Sequence, residues 1–317
     1  MKILIIKYGA LGDIIMATSM IRRILDHYSG EPVWLLTDPA YAPLFQDWPG
    51  LAVQALPRTG LRAAWQTLRW LRAQRFARLI DLQSNDRSGI LCALSGVPDR
   101  VGNHPRFPYN RHPPDRYTGQ YHVHERLNQI LAVAGIMPAD VAPQLPAPQA
   151  VRERVEDWLT RQGLGSEPLV LLHAGANRRH PQKRWHGFAD LAGQLAGRGY
   201  LPIWIGGADD RELNRRLAES VGIDASDCFS ILEVAELGRH ARFAITNDSA
   251  PMHILSCSGI PVYGLFGPTD WRRTHALGQR RHVITAEADA PEFRPTSLDR
   301  LPVERVLSRL RTDQLLK

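Results

Sequence analysis

The sequence has no apolar run long enough to cross a membrane, few cysteines and no Asp-x-Asp pair. A spanning helix needs about 20 mostly apolar residues, and the opening residues 1–6 enter a strand directly instead of forming a signal peptide. Cys92, Cys228 and Cys257 are too few and too scattered for a disulfide framework or a zinc site. These absences predict a cytoplasmic protein that uses neither structural disulfides nor a bound metal.

Neither standard nucleotide-binding loop is present. The first strand-to-helix turn reads Lys7-Tyr8-Gly9-Ala10-Leu11-Gly12-Asp13, which lacks both the three-glycine spacing of a dinucleotide fingerprint and the Gly-Lys-Ser/Thr of a P-loop. Asp13 lies where the strand gives way to a helix. Its carboxylate either caps the helix N-terminus or faces the crevice at the strand end, and the sequence leaves both interpretations open.

Positive charge is in excess, because 39 Lys and Arg residues stand against 32 Asp and Glu residues and give a formal net charge of +7. This balance attracts an anionic partner, which charge alone leaves open as nucleic acid, a membrane face or a phosphorylated substrate. The sequence contains no recognisable RNA- or DNA-binding module. We therefore expect no nucleic-acid partner, and this class is kept only as the less favoured alternative.

Strand-like and helix-like segments alternate along the chain, which indicates parallel βαβ units. At 317 residues the chain exceeds the usual size of one hydrophobic core, so two domains are expected. Four prolines between residues 138 and 148 resist both helix and central strand, so the linker is placed there. The predicted domains are residues 1–145 and 146–317, with a final helix over residues 302–310 that is able to pack back on the first domain.

Two neighbouring strand ends predict a phosphate cradle. An apolar run ends at Asn247, a polar turn follows, and a helix is expected to open between Ser249 and His253. Backbone N–H groups at such a helix start bind anions. A second buried strand over residues 261–266 ends in the turn Gly267-Pro268-Thr269-Asp270, so both loops are expected at one edge of a parallel sheet.

A basic loop follows another predicted strand, Leu169–His173. Residues 174–185 include four cationic side chains, among them Lys183, and a helix is expected to start near Trp185. Lys183 and the N–H groups near Trp185 would neutralise a diphosphate, whereas the alternative is a solvated basic loop. Gly206 and Gly207, at the end of the next strand, allow a ligand such as a nucleoside to approach the backbone closely.

Residues 58–78 contain six arginines, two tryptophans and no acidic residue. Helical spacing places Leu61, Trp65, Leu68 and Leu71 on one apolar face, which is typical of an amphipathic helix facing anionic lipid or an anionic acceptor. A core helix with a solvated arginine face is an equal alternative. The loop over residues 103–112 is a further candidate for an acceptor clamp or an ordered surface loop.

Taken in order, these segments resemble family 9 of the glycosyltransferases, the ADP-heptose:lipopolysaccharide heptosyltransferases and their relatives. The resemblance spans most of the chain and rests on Gly12-Asp13, Asp81-Leu82-Gln83 with Gly102 downstream, Lys183-Arg184-Trp185, Asn247-Asp248-Ser249-Ala250-Pro251-Met252-His253 and Leu265-Phe266-Gly267-Pro268-Thr269-Asp270. The last two motifs together are specific. Family members more often have Gly where this chain has Ala250.

The resemblance implies an α/β fold of the GT-B type, in which two Rossmann-like parallel-sheet domains face each other across a cleft. The N-terminal domain would bind the acceptor and the C-terminal domain the nucleotide-sugar. It further implies that Asp13 is the general base and Lys183 the phosphate ligand. The other candidate donor contacts are Asn177, Gly206, Gly207, Asp248, Ser249, Ala250, Met252, His253 and Thr269, and the candidate acceptor contacts are Gly12, Gln83, Arg106 and Arg111.

The activity implied is that of an inverting, metal-independent glycosyltransferase with no cofactor besides its donor. It would move a heptose-like sugar from an ADP-sugar, ADP-heptose in the family, to a lipid-linked anionic glycan of the lipopolysaccharide core or a related acceptor. Peripheral contact with the cytoplasmic face of the inner membrane is expected, and the oligomeric state is left open. The alternatives are another donor or a GT-B nucleotide-sugar epimerase.

Overall fold

Each half of the chain folds as a parallel β-sheet with helices packed against it. The computed structural model describes residues 1–103, 105–165, 167–287 and 293–316. The chain divides into two units, Met1–Pro146 and Ala147–Lys317, and the boundary expected from the prolines, between residues 145 and 146, lies next to this division. The predicted fold class of two Rossmann-like parallel-sheet domains is confirmed.

The first unit contains a five-stranded sheet. Its strands are β1 Ile3–Ile6, β2 Val33–Thr37, β3 Leu51–Ala55, β4 Arg78–Asp81 and β5 Asp99–Val101, and its helices are α1 Leu11–His27, α2 Leu61–Gln74, α3 Asp86–Leu94 and α4 Val123–Val133. The strand order is β3-β2-β1-β4-β5, and every pairing is parallel. β1 carries only apolar residues because both faces of a central parallel strand are covered.

The second unit contains a six-stranded sheet. Its strands are β6 Leu169–His173, β7 Leu201–Trp204, β8 Ile223–Asp224, β9 Ala241–Asn247, β10 Val262–Phe266 and β11 Val283–Thr285. Its helices are α5 Gln149–Arg161, α6 Phe188–Ala196, α7 Arg211–Ala218, α8 Ile231–Arg239, α9 Ala250–Ser256, α10 Trp271–Thr274 and α11 Val303–Thr312. The order β11-β10-β9-β6-β7-β8 is again wholly parallel.

Both sheets have a point at which the strand order reverses. In the first unit the chain proceeds outward from β1 through β2 and β3 and then returns to place β4 on the other side of β1. In the second unit the same reversal separates β6 from β9. Loops leaving the carboxyl ends of the two strands at such a point diverge and leave a crevice, where ligands bind in open α/β sheets.

The final helix packs within the second unit. Val306, Leu307 and Leu310 of α11 are fully buried in a core that also contains Phe188 of α6 and Tyr263 of β10. The prediction that this helix packs back on the first domain is therefore wrong for its apolar face, because the second unit's own core occupies that face.

Helix α2 is oriented differently from the expectation. It buries Ala63, Thr67 and Leu71, whereas Leu61 is 92% and Trp65 is 61% exposed. The apolar face predicted to be continuous is thus divided between the core and solvent. Packing of Trp70 of this helix against Phe76 and Trp34 accounts for the orientation, with ring centroids 5.5 and 5.9 Å apart. In the parts of the chain that the structure describes, no helix combines the length and apolar character needed to span a bilayer.

We expect Leu307→Ala to lower the free energy of unfolding by about 2–5 kcal/mol, because it removes a fully buried side chain and leaves a cavity. Ser308→Ala, on the exposed side of the same helix, should change it by less than about 0.5 kcal/mol. Urea unfolding of the full chain, followed by circular dichroism, compares the two. Equal midpoints for both variants would contradict the packing of α11 described above.

Candidate active site

A buried amide organises the switch point of the second unit. Asn247, the last residue of β9, is fully buried. Its Nδ2 donates to the carbonyl oxygens of Ala174 and Gly175 at 2.9 and 3.0 Å, and its Oδ1 accepts from the N–H of Trp185 at 3.1 Å. One side chain thus holds both ends of the basic loop that follows β6. Asn247 belongs to the motif that carried the resemblance, although no separate role was predicted for it.

Three side chains meet beside this amide. The Nζ of Lys183 lies 2.6 Å from Oδ2 of Asp248, and the hydroxyl of Thr269 donates to the same oxygen at 2.7 Å. The side chains of Lys183 and Asp248 are 20% and 9% exposed. The structure therefore brings together three predicted donor residues from three different loops, those after β6, β9 and β10.

A second polar cluster, which the sequence did not reveal, lies next to the first. The Oγ of Ser249 is 3.1 Å from Nδ1 of His173, and Nε2 of the same ring is 3.5 Å from Oδ2 of Asp210. Burial by itself raises the pKa of Asp210, but the hydrogen bond and charge of His173 hold that pKa below the ordinary carboxyl value. His173 and Asp210 therefore form a buried pair that orients Ser249.

Two glycines explain how this pair is accommodated. A Cβ added to Gly175 would lie 2.0 Å from Oδ1 of Asp210, and one added to Gly206 would lie 2.7 Å from Cβ of Asp210. Gly206 was predicted to admit a ligand, but the space beside it is filled by Asp210. Nothing lies within 4 Å of a Cβ built on Gly207, which is exposed and stays a candidate donor contact.

Arg184 is a further cation of this loop that was not among the predicted donor contacts. Its guanidinium interacts with the charge of Asp210, and one of its terminal nitrogens lies 3.4 Å from the carbonyl of Ala176. Among the described residues, the Nε of Arg184 is one of few buried side-chain nitrogens without a hydrogen-bond partner. Such an unsatisfied donor is unusual in a folded protein. The adjacent Lys183-Arg184-Trp185 motif was the available signal.

The predicted helix start near Trp185 is wrong. A short 3₁₀ turn covers Pro181–Lys183, and α6 begins only at Phe188. The N–H of Trp185 is bonded to Asn247, while its indole nitrogen donates to the carbonyl of Leu301 at 2.8 Å. Since these tertiary contacts hold Trp185 in the core, its N–H group cannot contribute to binding a diphosphate.

The remaining donor candidates occupy different environments. Helix α9 begins at Ala250 with Ser249 as its N-cap, as expected, and both residues are partly exposed. Met252 is 1% exposed, packs in the core, and its N–H is bonded to the carbonyl of Ser249, so a donor contact at this residue stays a prediction. His253 is also buried. Asn177 is exposed and its Oδ1 accepts from the N–H of Arg179, which shapes the basic loop.

A second amide organises the switch point of the first unit. Oε1 of Gln83 accepts from the N–H groups of Tyr8 and Gly9 at 2.9 and 3.1 Å. Asp81, fully buried at the end of β4, accepts from the N–H groups of Gln83 and Ser84, both at 2.9 Å. Burial raises the pKa of Asp81 although these hydrogen bonds act in the opposite direction. Gln83 was predicted to contact the acceptor, and the structure gives its carboxamide oxygen the task of holding the loop before α1.

Packing explains why Gly102 accompanies Asp81-Leu82-Gln83 in this motif. The hydroxyl of Tyr109 donates to Oδ2 of Asp81. Its ring covers Gly102 so closely that a Cβ there would lie 2.3 Å from it. The motif Asp81-Leu82-Gln83 with Gly102 downstream is therefore one packed unit behind the first switch point.

Asp13 lies in the first turn of α1, but it does not cap that helix. The N-cap is Ala10, and Asp13 is the third residue of the helix, so the simple capping interpretation is wrong. Both Gly12 and Asp13 are partly exposed. Beneath them, the buried Lys7 donates through Nζ to the carbonyl of Leu82 at 3.2 Å. Burial lowers the pKa of Lys7, while the charges of Asp13 and Asp81 oppose that shift.

The predicted acceptor arginines differ in their surroundings. Arg111 is half exposed and its Nε lies 3.1 Å from Oδ1 of Asp99, which anchors it beside β5. Arg106 is exposed on the same loop. His104, within the candidate loop 103–112, lies outside the described residues. Across the described ranges, no group of three or more His, Cys, Asp or Glu side chains is arranged to hold a metal ion.

Comparison with known proteins gives these features a context. Residues 64–301 match the family model described as glycosyltransferase family 9 (heptosyltransferase). Lipopolysaccharide heptosyltransferase 2 of Escherichia coli (strain K12) is 26% identical, and the alignment covers 98% of this chain and 97% of that protein.

Solved structures extend the similarity to the fold. The crystal structure of a family 9 glycosyl transferase from Veillonella parvula has a TM-score of 0.85 at 21% identity and covers 99% of this chain and 97% of its own. The structure of the E. coli ADP-heptose lipopolysaccharide heptosyltransferase II has a TM-score of 0.77 at 21% identity, with 99% of both chains covered. At these identities the structures establish a shared fold.

We expect Gly175→Ala to lower the free energy of unfolding by about 1–3 kcal/mol, because the new methyl group has to displace the Asp210 carboxylate from His173. Gly193→Ala, where nothing lies within 4 Å of the added atom inside α6, should be neutral or stabilising by up to about 1 kcal/mol. Urea unfolding of the full chain measures both. The cost of Gly175→Ala should shrink in an Asp210→Ala background, and an unchanged cost there would contradict the clash.

Proposed function

The chain belongs to glycosyltransferase family 9, and from this premise we propose that it transfers a heptose-like sugar from an ADP-sugar to the lipopolysaccharide core or a related glycan. The observation that carries the proposal is the cluster of Lys183, Asp248 and Thr269 at the switch point, next to the cation Arg184. The names of its relatives support ADP-heptose as the donor and lipopolysaccharide as the acceptor class.

The second unit supplies the charges for the leaving group. Departure of ADP places negative charge on its terminal phosphate, and preorganised cations stabilise such charge most effectively. Lys183 and Arg184 are the cations at this point, and we propose that they serve where other glycosyltransferases use a metal ion. A carboxylate does not attract phosphate, so Asp248 is assigned the role of orienting Lys183 and Thr269 toward the donor.

The first unit supplies the base. In an inverting transfer a carboxylate accepts the proton of the acceptor hydroxyl as its oxygen attacks the anomeric carbon. Asp13 is partly exposed at the crevice end of β1, and the loop before it is held by Gln83. The buried Lys7 lies beneath this carboxylate, and the charge of Asp13 opposes the fall in the pKa of Lys7 that burial causes.

The acceptor is proposed to be lipid-linked and anionic. An acceptor of this kind is presented at the cytoplasmic face of the inner membrane, and the enzyme meets it there as a peripheral protein. The formal net charge of +7 favours attraction to both the acceptor and anionic lipid. Gly12, Arg106 and Arg111 stay candidates for contacting it, with Arg106 the more available of the two arginines.

We expect Lys183→Ala to weaken ADP binding by about 10- to 100-fold, since it removes a charge-assisted contact and leaves Asp248 to repel the phosphates. Arg179→Ala, an exposed cation of the same loop, should change the Kd by no more than about fivefold. Calorimetric titration with ADP, UDP and GDP in the presence of EDTA measures these values. Tighter binding of UDP than of ADP would indicate a UDP-sugar as the donor. Equal losses of affinity in both variants would indicate that the loop binds ADP through its overall positive charge and not through a specific contact of Lys183.

We expect Asp13→Asn to reduce transfer by about 10²- to 10⁴-fold while leaving the Kd for ADP unchanged, as for the loss of a general base. Asp26→Asn removes a carboxylate from the last turns of the same helix, where it pairs with Arg22 at the surface, and should retain activity. Release of ADP from ADP-heptose with a heptose-free core acceptor gives the rates. Retained activity in Asp13→Asn would exclude it as the base.

A further inference from the structure

Four large apolar side chains are exposed on two neighbouring helices of the first unit. Leu61 and Trp65 of α2 are 92% and 61% exposed, and Ile90 and Leu94 of α3 are 61% and 48% exposed. Each pair is separated by four residues, so its two members lie on successive turns of one helix face. Isolated exposed apolar residues are ordinary, but a contiguous set of this size marks an interaction surface.

Two arginines connect the helices at this surface. Nε of Arg72, from α2, donates to the carbonyl of Leu94 at 3.0 Å, and a terminal nitrogen of Arg87, from α3, donates to the carbonyl of Arg58 at 2.6 Å. Helical spacing also places Arg72 on the side of α2 that carries Leu61 and Trp65. The exposed faces of α2 and α3 thus form one surface, which we call the α2–α3 face.

The charge around these side chains is strongly positive. Residues 58–78 contain no acidic residue, and Arg62, Arg69 and Arg72 of α2 are exposed. The guanidinium of Arg69 lies over the ring of Trp65, 5.5 Å from its centroid. Asp86, in the first turn of α3, contributes the one carboxylate among the described residues of these two helices.

We propose that the α2–α3 face docks the protein on an anionic lipid bilayer. Tryptophan and leucine insert at the boundary between head groups and acyl chains, whereas arginines beside them pair with lipid phosphates. A protein partner with an acidic surface would match the arginines but not the protruding apolar side chains. The inference rests on the proposed function for the presence of a membrane, and it goes further by assigning the contact to Leu61, Trp65, Ile90 and Leu94.

The remaining faces of the two helices explain why this contact leaves the fold intact. The opposite side of α2 is fixed by Ala63, Thr67 and Leu71, which are all buried. Leu91 and Cys92 of α3 pack in the same core cluster as Leu71. Substitutions at Leu61 and Trp65 therefore test docking without removing core contacts.

The experiment is sedimentation of the full chain with vesicles of equimolar phosphatidylglycerol and phosphatidylcholine, which contain no glycan acceptor. We expect the protein to bind them, and to bind vesicles of phosphatidylcholine alone about tenfold or more weakly. The double variant Leu61→Ser/Trp65→Ser should lose about tenfold or more of the binding. Arg62→Gln/Arg69→Gln should lose a similar amount at low salt and less at high salt. Arg72 is retained because it joins the two helices.

Matched surface changes outside the α2–α3 face control for general effects. Met137→Ser removes an apolar side chain that is 70% exposed, and Arg161→Gln removes an exposed cation at the end of α5. Both should bind vesicles like the parent protein. Leu61→Ser/Trp65→Ser should also keep the urea midpoint and the Kd for ADP, so that lost vesicle binding is not a folding or donor-site defect.

Absence of vesicle binding by the parent protein, or equal losses in the Met137→Ser control, would overturn the docking surface. Binding that appears only when lipopolysaccharide is added to the vesicles would overturn it in favour of an acceptor contact. Transfer to a soluble, deacylated acceptor separates this result from the proposed function. A protein that transfers sugar but ignores lipid would refute the docking surface alone, whereas one that binds lipid but neither ADP nor acceptor would refute the transferase.

Discussion

Each candidate site depends on the hydrogen bonds that hold the loops at the point where the strand order of its sheet reverses. At a switch point the loops leaving two adjacent strands diverge, so their first backbone groups have no ladder partner, and unsatisfied buried groups are costly. Each unit meets this constraint with one carboxamide, Gln83 beside β1 and Asn247 beside β6. The same bonds fix the loop that precedes the helix of Asp13 and the loop that contains Lys183. The residues proposed to perform chemistry are thus positioned by groups that the fold itself requires.

The proposed donor site orients its lysine through an ion pair. Lys183 and Asp248 form an ion pair at 2.6 Å, so the pair is close to neutral overall. A lysine held by a fixed partner has already lost much of the rotamer freedom that binding would otherwise remove. Asp248 also accepts a hydrogen bond from Thr269, which connects the loop after β9 to the loop after β10.

The sequence predicted what local pattern determines and missed what distant residues determine. Strand Leu169–His173 was predicted to the residue, because a fully buried strand is a continuous apolar run. The helix expected at Trp185 begins only at Phe188, and the N–H of the tryptophan is bonded to Asn247, a residue distant in the sequence. No local sequence pattern predicts the pair of His173 and Asp210, although Gly175 and Gly206, which pack against Asp210, were an indirect indication of it.

Helix α2 is a second case in which contacts between residues distant in the sequence decide the structure, here the rotation of the helix about its own axis. Periodicity identified an apolar set, but a helix whose surface is rich in both apolar residues and arginine has more than one rotation that buries a stripe. Packing of Trp70 against Phe76 and Trp34 selects the rotation that buries Ala63 and Thr67. The larger side chains then remain outside among the arginines. The arginines of residues 58–78 thus lie beside exposed apolar side chains, and this combination is the one on which the proposed bilayer contact depends.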